Sequence, residues 1–274
     1  MKPCILVTND DGIHSPGLRA SVAALASLGD LVVVAPLEQY SGAGRSFAQG
    51  SRGRLEPVEL TWPGGSVQAF GVDGSPTQAA LHALVELAPR RPDLAVVGIN
   101  YGENLGNGIT ASGTVGAALE MASAGIPSLA VSRQVASKYY LTHSTEIDFT
   151  AAAHFVQLFA RRLLSSGRLG EDVDLLKIDV PDDATPDTPW RVTRVSRQRY
   201  FEILPPARES LEQEGPLGYR IRVDEAALER DSDIYALLFE RVVSVAPISV
   251  DLSSRVDRGR LCALLSNGSH PRGV

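Results

Sequence analysis

The first two thirds of the chain alternate short apolar runs with segments of helical periodicity. An apolar run at residues 4–7 precedes a segment at 16–28 whose leucine and valine side chains share one helix face, and a second apolar run follows at 31–35. Short apolar runs bounded by turn residues indicate buried strands, and strand–helix–strand units require parallel pairing. The pattern therefore predicts an α/β fold with a mostly parallel sheet flanked by helices.

The same alternation continues to residue 181. Further strands are predicted at 94–99, 128–132 and 175–180, and a hairpin at 55–61 and 66–70 around the turn WPGG. Helices are predicted at 77–87, 114–124 and 145–164. Thr77 and either Ser144 or Thr145 are expected to cap the first and the last of these helices.

The chain changes character after residue 181. Segments 190–196, 200–204 and 219–223 have the pattern of antiparallel strands, and a short helix at 233–240, a strand at 242–246 and a helix at 255–265 follow. We therefore predict a main region at 1–181 and a C-terminal, β-rich extension at 182–274. The extension is expected to serve oligomerisation rather than to fold as an independent domain.

Charge and cysteine content restrict the partners and the compartment. The 26 basic and 32 acidic residues give a net charge of −6, which argues against binding of a nucleic acid polymer because phosphate contacts supply that affinity. Cys4 and Cys262 are the only cysteines, which is typical of a reduced protein. No apolar run reaches the roughly 18 residues of a membrane span. We expect a cytoplasmic protein without membrane contact.

The first candidate for chemistry is the segment at residues 9–12 (NDDG), directly after the first predicted strand. Ligands of open α/β sheets bind outside the carboxyl ends of strands. At a turn, the carboxylates of Asp10 and Asp11 can face one hard cation, and such cations prefer oxygen ligands. The alternative is ordinary turn chemistry, in which Asn, Asp and Gly are common.

Two further loops also follow predicted strands. Residues 36–46 offer serine hydroxyls, glycine N–H groups and the Arg45 guanidinium, which suit an anion, although a flexible loop has the same composition. Asn100 follows the strand at 94–99, and the run SGT at 112–114 opens a helix whose N-terminus attracts anions. His14 lies three residues after Asp11, where it could hydrogen-bond a substrate or a metal-bound water.

The three segments are expected to gather at one edge of the sheet. Carboxylates for a cation beside donors for a phosphate are what phosphoryl transfer needs. The dinucleotide pattern GxGxxG is absent after the first strand and no P-loop lysine motif occurs, which disfavours an enzyme for NAD or a sugar nucleotide. A nucleotide sensor that binds metal without turnover remains the alternative from outside the enzymes.

Four blocks of the sequence resemble the SurE family of survival proteins and 5′/3′-nucleotidases. They are residues 5–17 (ILVTNDDGIHSPG), residues 34–42, residues 74–76 (GSP), and residues 98–104 together with SGTV at 112–115. The sequence departs from the family pattern at Leu37, Gly108 and Ala111, around the matched positions rather than on them.

The resemblance implies a Rossmann-like catalytic region and a phosphomonoesterase that hydrolyses nucleoside monophosphates through attack of a metal-bound water. It implies one Mg²⁺ or Mn²⁺ per subunit, with Ca²⁺ as a possible occupant in a crystal, and some members also cleave short polyphosphate, which is an alternative main activity. It further implies a homodimer or homotetramer that exchanges the extension.

Site residues follow from the family pattern and from the location of each loop. The metal ligands of the family fall here on Asp10, Asp11, Ser41 and Asn100. The phosphate oxygens are expected to be bound by Asn104, Ser112, Gly113 and Thr114. Asn9 is expected to join Asp10 and Asp11 in catalysis by orienting the metal shell or the substrate, and Arg45 and His14 are candidate substrate contacts.

Overall fold

A nine-stranded sheet forms the centre of the computed structural model, which describes residues 1–167 and 170–266. The strands are β1 (Cys4–Thr8), β2 (Asp30–Pro36), β3 (Leu55–Trp62), β4 (Gly65–Val72), β5 (Leu94–Tyr101), β6 (Ser128–Arg133), β7 (Leu175–Val180), β8 (Trp190–Val192), β9 (Phe201–Leu204), β10 (Gly218–Ile221) and β11 (Val243–Ile248). Their order in the sheet is β3-β4-β2-β1-β5-β6-β7-β11-β8, and β9 and β10 form a separate antiparallel pair.

The central strands are parallel, as the alternating pattern predicts. Parallel pairing runs from β4 through β2, β1, β5 and β6 to β7. Only the β3–β4 hairpin and the β7–β11 pair are antiparallel within this sheet. All eight residues of β5 are buried, because helices cover both faces of a parallel sheet.

Helices lie on both faces. They are α1 (Pro16–Leu25), α2 (Pro76–His82), α3 (Gly113–Ser123), α4 (Thr150–Ser166), α5 (Asp233–Tyr235) and α6 (Arg258–Ser266), and α2 and α5 run directly into single π-helical turns at Ala83–Leu87 and Ala236–Glu240. The largest core cluster lies between the sheet and the α1–α4 layer, and two smaller clusters lie beneath α2 and α3. The α/β fold class predicted from the sequence is confirmed.

Four of the helices begin at serines that accept backbone hydrogen bonds, and one of these serines is Ser232 before α5. Ser15 caps α1, Ser75 caps α2 and Ser112 caps α3, and Ser75 and Gln78 form a reciprocal capping box. A side-chain oxygen at this position satisfies an N–H group that has no partner inside the helix. The prediction that Thr77 caps this helix is wrong, because α2 already begins at Pro76 and Ser75 is its cap.

Two other local predictions are wrong. Helix α4 begins at Thr150 rather than at Thr145, because Ser144 instead accepts from the Glu146 N–H group in a turn, and Asp148 Oδ1 accepts from the Thr150 N–H group at 2.8 Å. Strand β8 runs parallel to β11, not antiparallel to a neighbour.

The segment after residue 181 contributes to the main sheet through β11 and β8. It also has a small core of its own, in which Leu105 from the main region packs against Tyr200, Leu228, Ile234 and Leu237. Residues 267–274 of the predicted extension lie outside the described residues. No helix within residues 1–167 or 170–266 combines the length and the apolarity that crossing a membrane requires.

Candidate metal and phosphate site

The carboxyl ends of β1, β2 and β5 meet at one edge of the sheet. Strand β1 pairs with β2 on one side and with β5 on the other, so the chain reverses its direction of winding at β1. Such a switch point leaves a crevice above the sheet, which is where open α/β folds bind ligands. The three loops predicted to carry the chemistry leave the sheet at or beside this point.

Asn9 holds the turn that follows β1. Its side-chain Nδ2 donates to the Gly12 carbonyl at 3.0 Å, and its Oδ1 accepts from the Gly12 N–H group at 3.2 Å. Asn9 is fully buried. Both polar ends of the side chain therefore bind backbone within the turn, and Asn9 acts on the site by fixing the direction of the next two residues.

Asp10 lies against the N-terminus of α3. Its Oδ1 accepts from the Thr114 hydroxyl at 2.5 Å, and the Thr114 N–H group is a second donor to the carboxylate. A Cβ atom on Gly113 would lie only 2.8 Å from both Cβ and Oδ2 of Asp10. Glycine at position 113 therefore permits the close approach of helix and carboxylate.

Asp11 is bonded to the two neighbouring loops. Its Oδ2 accepts from the Tyr101 N–H group at 3.0 Å, and its Oδ1 accepts from Gln39 Nε2 at 2.8 Å. The same Gln39 nitrogen lies 3.0 Å from Ser41 Oγ and 2.8 Å from the Tyr140 carbonyl. Three acceptor oxygens thus converge on one amide group that has two protons.

Asn100 reaches the site from the end of β5. The register between β5 and β6 shifts between Gly98 and Asn100, and Gly98 has a φ of +125°. A bulge of this kind redirects the following side chain. Asn100 Nδ2 donates to the Gly102 carbonyl at 2.7 Å, which leaves its Oδ1 without a hydrogen bond to any residue that the structure describes.

The two aspartates are buried without a basic partner. Asp10 is 3% and Asp11 is 1% exposed, and no described lysine or arginine pairs with either carboxyl group. Burial raises the pKa of Asp10, although the hydrogen bonds from Thr114 oppose the shift. Burial, and then the charge of Asp10, raises the pKa of Asp11 well above its usual range. Adjacent buried carboxylates are costly unless a cation balances them.

The donor set fits a hard divalent cation. The candidate oxygens at this edge come from two carboxylates, the Ser41 hydroxyl, which shares Gln39 with Asp11, and the Asn100 amide, and Mg²⁺ and Mn²⁺ prefer such ligands. In the described part of the chain, no three His, Cys, Asp or Glu residues come together as a possible metal site. A metal site at Asp10 and Asp11 would therefore need further ligands, and the neutral oxygens of Ser41 and Asn100 are the candidates that the sequence predicts.

The predicted phosphate residues lie at the N-terminus of α3 and in the segment after β5. Ser112 Oγ accepts from the Val115 N–H group at 3.1 Å, so its hydroxyl proton is available to a ligand. Gly113 follows in the first turn of α3, where the helix dipole favours an anion, whereas the hydroxyl and the N–H group of the predicted phosphate ligand Thr114 are both bonded to Asp10. Asn104 is half-buried, and its Nδ2 donates to Ser132 Oγ at 2.8 Å, which leaves the second amide proton free.

Two further candidates lie elsewhere. The Arg45 Nε donates to Glu120 of α3 at 2.5 Å, so the guanidinium is directed at the helix surface and not at the aspartates. His14 is exposed and has no hydrogen bond to the described residues. Neither side chain is brought into contact with Asp10 or Asp11.

Sequence reasoning missed four residues at this edge. Gln39 is not marked by any motif and lies two positions before Ser41. Lys177, Asp179 and Asp233 form a fully buried charged group beneath Asn104. The sequence carried a signal for Lys177 and Asp179. These two charged residues, spaced by two, interrupt the otherwise apolar strand LLKIDV and must point to the same face.

Comparison with protein-family models identifies the family of this chain. Residues 5–202 match the protein-family model described as "Survival protein SurE". The chain belongs to the SurE family. The resemblance seen in the sequence blocks is confirmed, and the match covers β1, β2 and β5 with every loop of the candidate site.

Individual SurE proteins are similar over almost the whole chain. The 5′-nucleotidase SurE of Thermococcus kodakarensis is 44% identical over 92% of this chain and 95% of its own. That of Thermococcus gammatolerans is 43% identical over 98% of both chains. The crystal structure of the SurE protein from Aquifex aeolicus is 30% identical, with a TM-score of 0.70 over 96% of this chain and 98% of that chain.

Proposed function

We propose that this protein is a phosphoric monoester hydrolase that releases phosphate from nucleoside monophosphates, a 5′-nucleotidase that uses one divalent cation per subunit. The observation that carries the proposal is the pair of buried, uncompensated carboxylates, Asp10 and Asp11, at the switch point of the sheet and against the N-terminus of α3. The names of the SurE relatives, which are 5′-nucleotidases, support the same activity.

The metal ligands in this proposal are Asp10, Asp11, Ser41 and Asn100. When bound, Mg²⁺ or Mn²⁺ would supply positive charge next to the phosphoryl oxygens and activate the attacking water. The protein contributes the fixed positions of the ligands. Asn9 sets the direction of the two carboxylates through Gly12, and Thr114 holds Asp10 from the opposite side.

The phosphate group of the substrate lies, in this proposal, between the N-terminus of α3 and Asn104. The hydroxyl of Ser112, the N–H group of Gly113 and the amide of Asn104 are fixed donors for its oxygens. Because each donor is held by a helix or by hydrogen bonds before substrate arrives, little reorganisation is needed when negative charge develops in the transition state.

A substrate panel tests the activity. Chelator-treated protein is incubated with 5′- and 3′-nucleoside monophosphates and with short-chain polyphosphate, each with Mg²⁺, Mn²⁺ or Ca²⁺, and released phosphate is measured. We expect metal-dependent release from at least one nucleoside monophosphate. Binding of nucleotide without phosphate release would support a sensor instead, and release from polyphosphate alone would make that the main substrate.

Substitution of the carboxylates tests the site. Asp10→Asn or Asp11→Asn is expected to lower the rate of phosphate release about 100-fold or more, because each removes one charged metal ligand. Asp187→Asn, which alters an exposed carboxylate that makes no hydrogen bond within the described residues, is the matched control and should keep the wild-type rate. Wild-type rates in both Asp10 and Asp11 variants would rule out this site.

We further propose that the extension joins copies of the chain into a homodimer or homotetramer by exchange between subunits. The β9–β10 hairpin stands apart from the main sheet and exposes Ile203, Tyr219 and Ile221, each about half accessible. Apolar patches of this kind mark association surfaces. Light scattering measures the molar mass of the wild type and of Ile203→Glu, which places a charge on this apolar surface. A monomeric wild type would refute the proposal.

A further inference from the structure

The loop at residues 102–106, hereafter the 102–106 loop, connects metal ligand Asn100 to the start of the segment that leads into α3. Its backbone is bonded to distant charged side chains. The Asn104 N–H group donates to Asp179 Oδ1 at 2.8 Å, and the Asn104 carbonyl accepts from Lys177 Nζ at 2.7 Å. The Gly106 N–H group donates at 3.1 Å to Oδ2 of Asp233, which lies 127 positions later in the chain.

These three charged residues, hereafter the buried triad, are Lys177, Asp179 and Asp233. All three are 0% exposed. Lys177 Nζ contacts both carboxylates, with Asp233 at 3.1 Å. Because Lys177 and Asp179 are two apart on β7, they point to the same face beneath the loop. Burial alone would lower the pKa of Lys177, but the charges of Asp179 and Asp233 outweigh it and raise the pKa.

Asp233 belongs to the segment after residue 181 and is itself fixed there. Its Oδ1 accepts from the N–H groups of Ser196 and Ile234, both at 2.9 Å. Its Oδ2 is thereby aimed at Gly106 and Lys177. The side chain of Leu105, between the two bonded residues, packs against Ile234. The extension therefore holds the loop through one charged contact and one apolar contact.

We propose that the buried triad positions Asn104 for phosphate, so that the C-terminal extension completes the catalytic site through Asp233. Two observations and one general argument favour this role over simple stabilisation of the core. Each member of the triad bonds to the backbone of the 102–106 loop. A buried ion pair is seldom more stable than apolar residues of similar volume, so its value lies in orientation. The loop's one charged side chain, Glu103, accepts from the Tyr200 hydroxyl of the same extension at 2.6 Å.

This inference rests on the proposed function in one respect, because Asn104 is taken as a phosphate-binding residue. Its amide presents the second Nδ2 proton in one fixed direction, because Nδ2 is bonded to Ser132 and the backbone is bonded to Asp179 and Lys177. Release of Gly106 or Asn104 from the triad would let the amide leave that position. The proposed metal ligands would be unaffected, because Asp10 and Asp11 are held by Thr114, Gln39 and Tyr101. Asn100 is held by the Gly102 carbonyl, and the Gly102 N–H group is bonded to the Arg133 carbonyl rather than to the triad.

The experiment uses the full chain with Asp233→Asn. Asparagine cannot supply acceptors to Ser196, Ile234, Gly106 and Lys177 together, because one of its side-chain groups is a donor. We expect the KM for a nucleoside monophosphate to rise about tenfold, with kcat changed less than about threefold, because the amide of Asn104 binds the phosphate about equally in the ground state and in the transition state. The Mn²⁺ affinity should be that of the wild type.

The matched control is Asp183→Asn. Asp183 is also an acidic residue of the extension paired with a basic side chain, Arg241, but it is exposed and makes no contact with the loop. Its KM should equal that of the wild type. Asp233→Glu is the second variant, because it keeps the buried charge if Asp233→Asn does not fold. It should raise KM at least about threefold, since a longer side chain cannot keep both oxygens in place.

Amide hydrogen exchange gives a readout that does not depend on activity. In Asp233→Asn or Asp233→Glu, exchange at Asn104 and Gly106 should accelerate about tenfold, while exchange in the 9–12 turn should stay unchanged. An unchanged KM, or a fall in kcat alone together with unchanged exchange, would overturn the inference. If the wild type releases no phosphate from any nucleotide, the proposed function fails. The hold of the triad on the loop is then decided by hydrogen exchange alone: faster exchange at Asn104 and Gly106 in the Asp233 variants supports it, and unchanged exchange refutes it.

Discussion

Two pairs of buried carboxylates lie at the same edge of the sheet, and they are balanced in different ways. Asp179 and Asp233 share the ammonium group of Lys177. Asp10 and Asp11 receive hydrogen bonds from Thr114, Gln39 and Tyr101 but no lysine or arginine. A buried charge without a partner is costly, so an evolved fold keeps it only where something else binds there. We therefore infer that the first pair, hereafter the structural pair, holds the 102–106 loop in position, and that the second, hereafter the functional pair, binds the metal.

The largest contrast between the pairs should appear in stability. Lys177→Met leaves two buried carboxylates without their cation and is expected to lower the free energy of unfolding by about 3–5 kcal/mol. Asp10→Asn in chelator-treated protein removes one of two uncompensated charges and should raise the free energy of unfolding by about 1 kcal/mol. Urea denaturation of both variants measures the difference. The contrast breaks down if both variants change stability in the same direction.

A smaller effect should follow from crowding the functional pair. In Gly113→Ala the new Cβ would lie 2.8 Å from Asp10 Oδ2, so the carboxylate must shift. We expect kcat/KM for phosphate release to fall about tenfold. Gly108→Ala is the matched control, because a Cβ there meets no atom within 4 Å. Equal activity of the two alanine variants would mean that the approach of α3 to Asp10 is unimportant.

The smallest effect concerns one hydroxyl. Thr114→Val removes the 2.5 Å hydrogen bond to Asp10 and is expected to cost about 1 kcal/mol of stability and about threefold in activity. Thr77→Val is its counterpart at the second position of α2, where the buried hydroxyl has no partner in the described part of the chain. That control should be neutral or slightly stabilising in a thermal unfolding experiment. A similar loss in both would point to packing rather than to the bond.

The functional pair could be predicted from the sequence, because its support is local. Asn9 binds Gly12 three residues away, and the two aspartates follow directly after an apolar strand. The parallel order of the strands also followed from the alternation of apolar runs and helices, and it brought Asp10, Ser41 and Asn100 to one edge.

Of the structural pair, Asp179 left a local signal in the strand LLKIDV, but its association with Asp233 could not be predicted, because it is non-local. Gly106 and Asp233 are joined across 127 residues, and nothing in the local pattern around either residue encodes the other. The predicted start of α4 was wrong for a related reason. Ser144 is a residue type that commonly caps helices, but here its hydroxyl accepts a hydrogen bond within a turn. Pattern reasoning finds which residues are polar at a strand end, and tertiary packing decides which partner they take.

Mn²⁺ binding tests the central claim most directly. Chelator-treated wild-type protein is titrated with Mn²⁺, and the free ion is measured by electron paramagnetic resonance, in parallel with Asp11→Asn and Asp233→Asn. We expect one Mn²⁺ per chain in the wild type, affinity at least about 100-fold weaker in Asp11→Asn, and unchanged affinity in Asp233→Asn. Absence of Mn²⁺ binding to the wild type, or equal affinity in Asp11→Asn, would contradict the assignment of Asp10 and Asp11 as metal ligands.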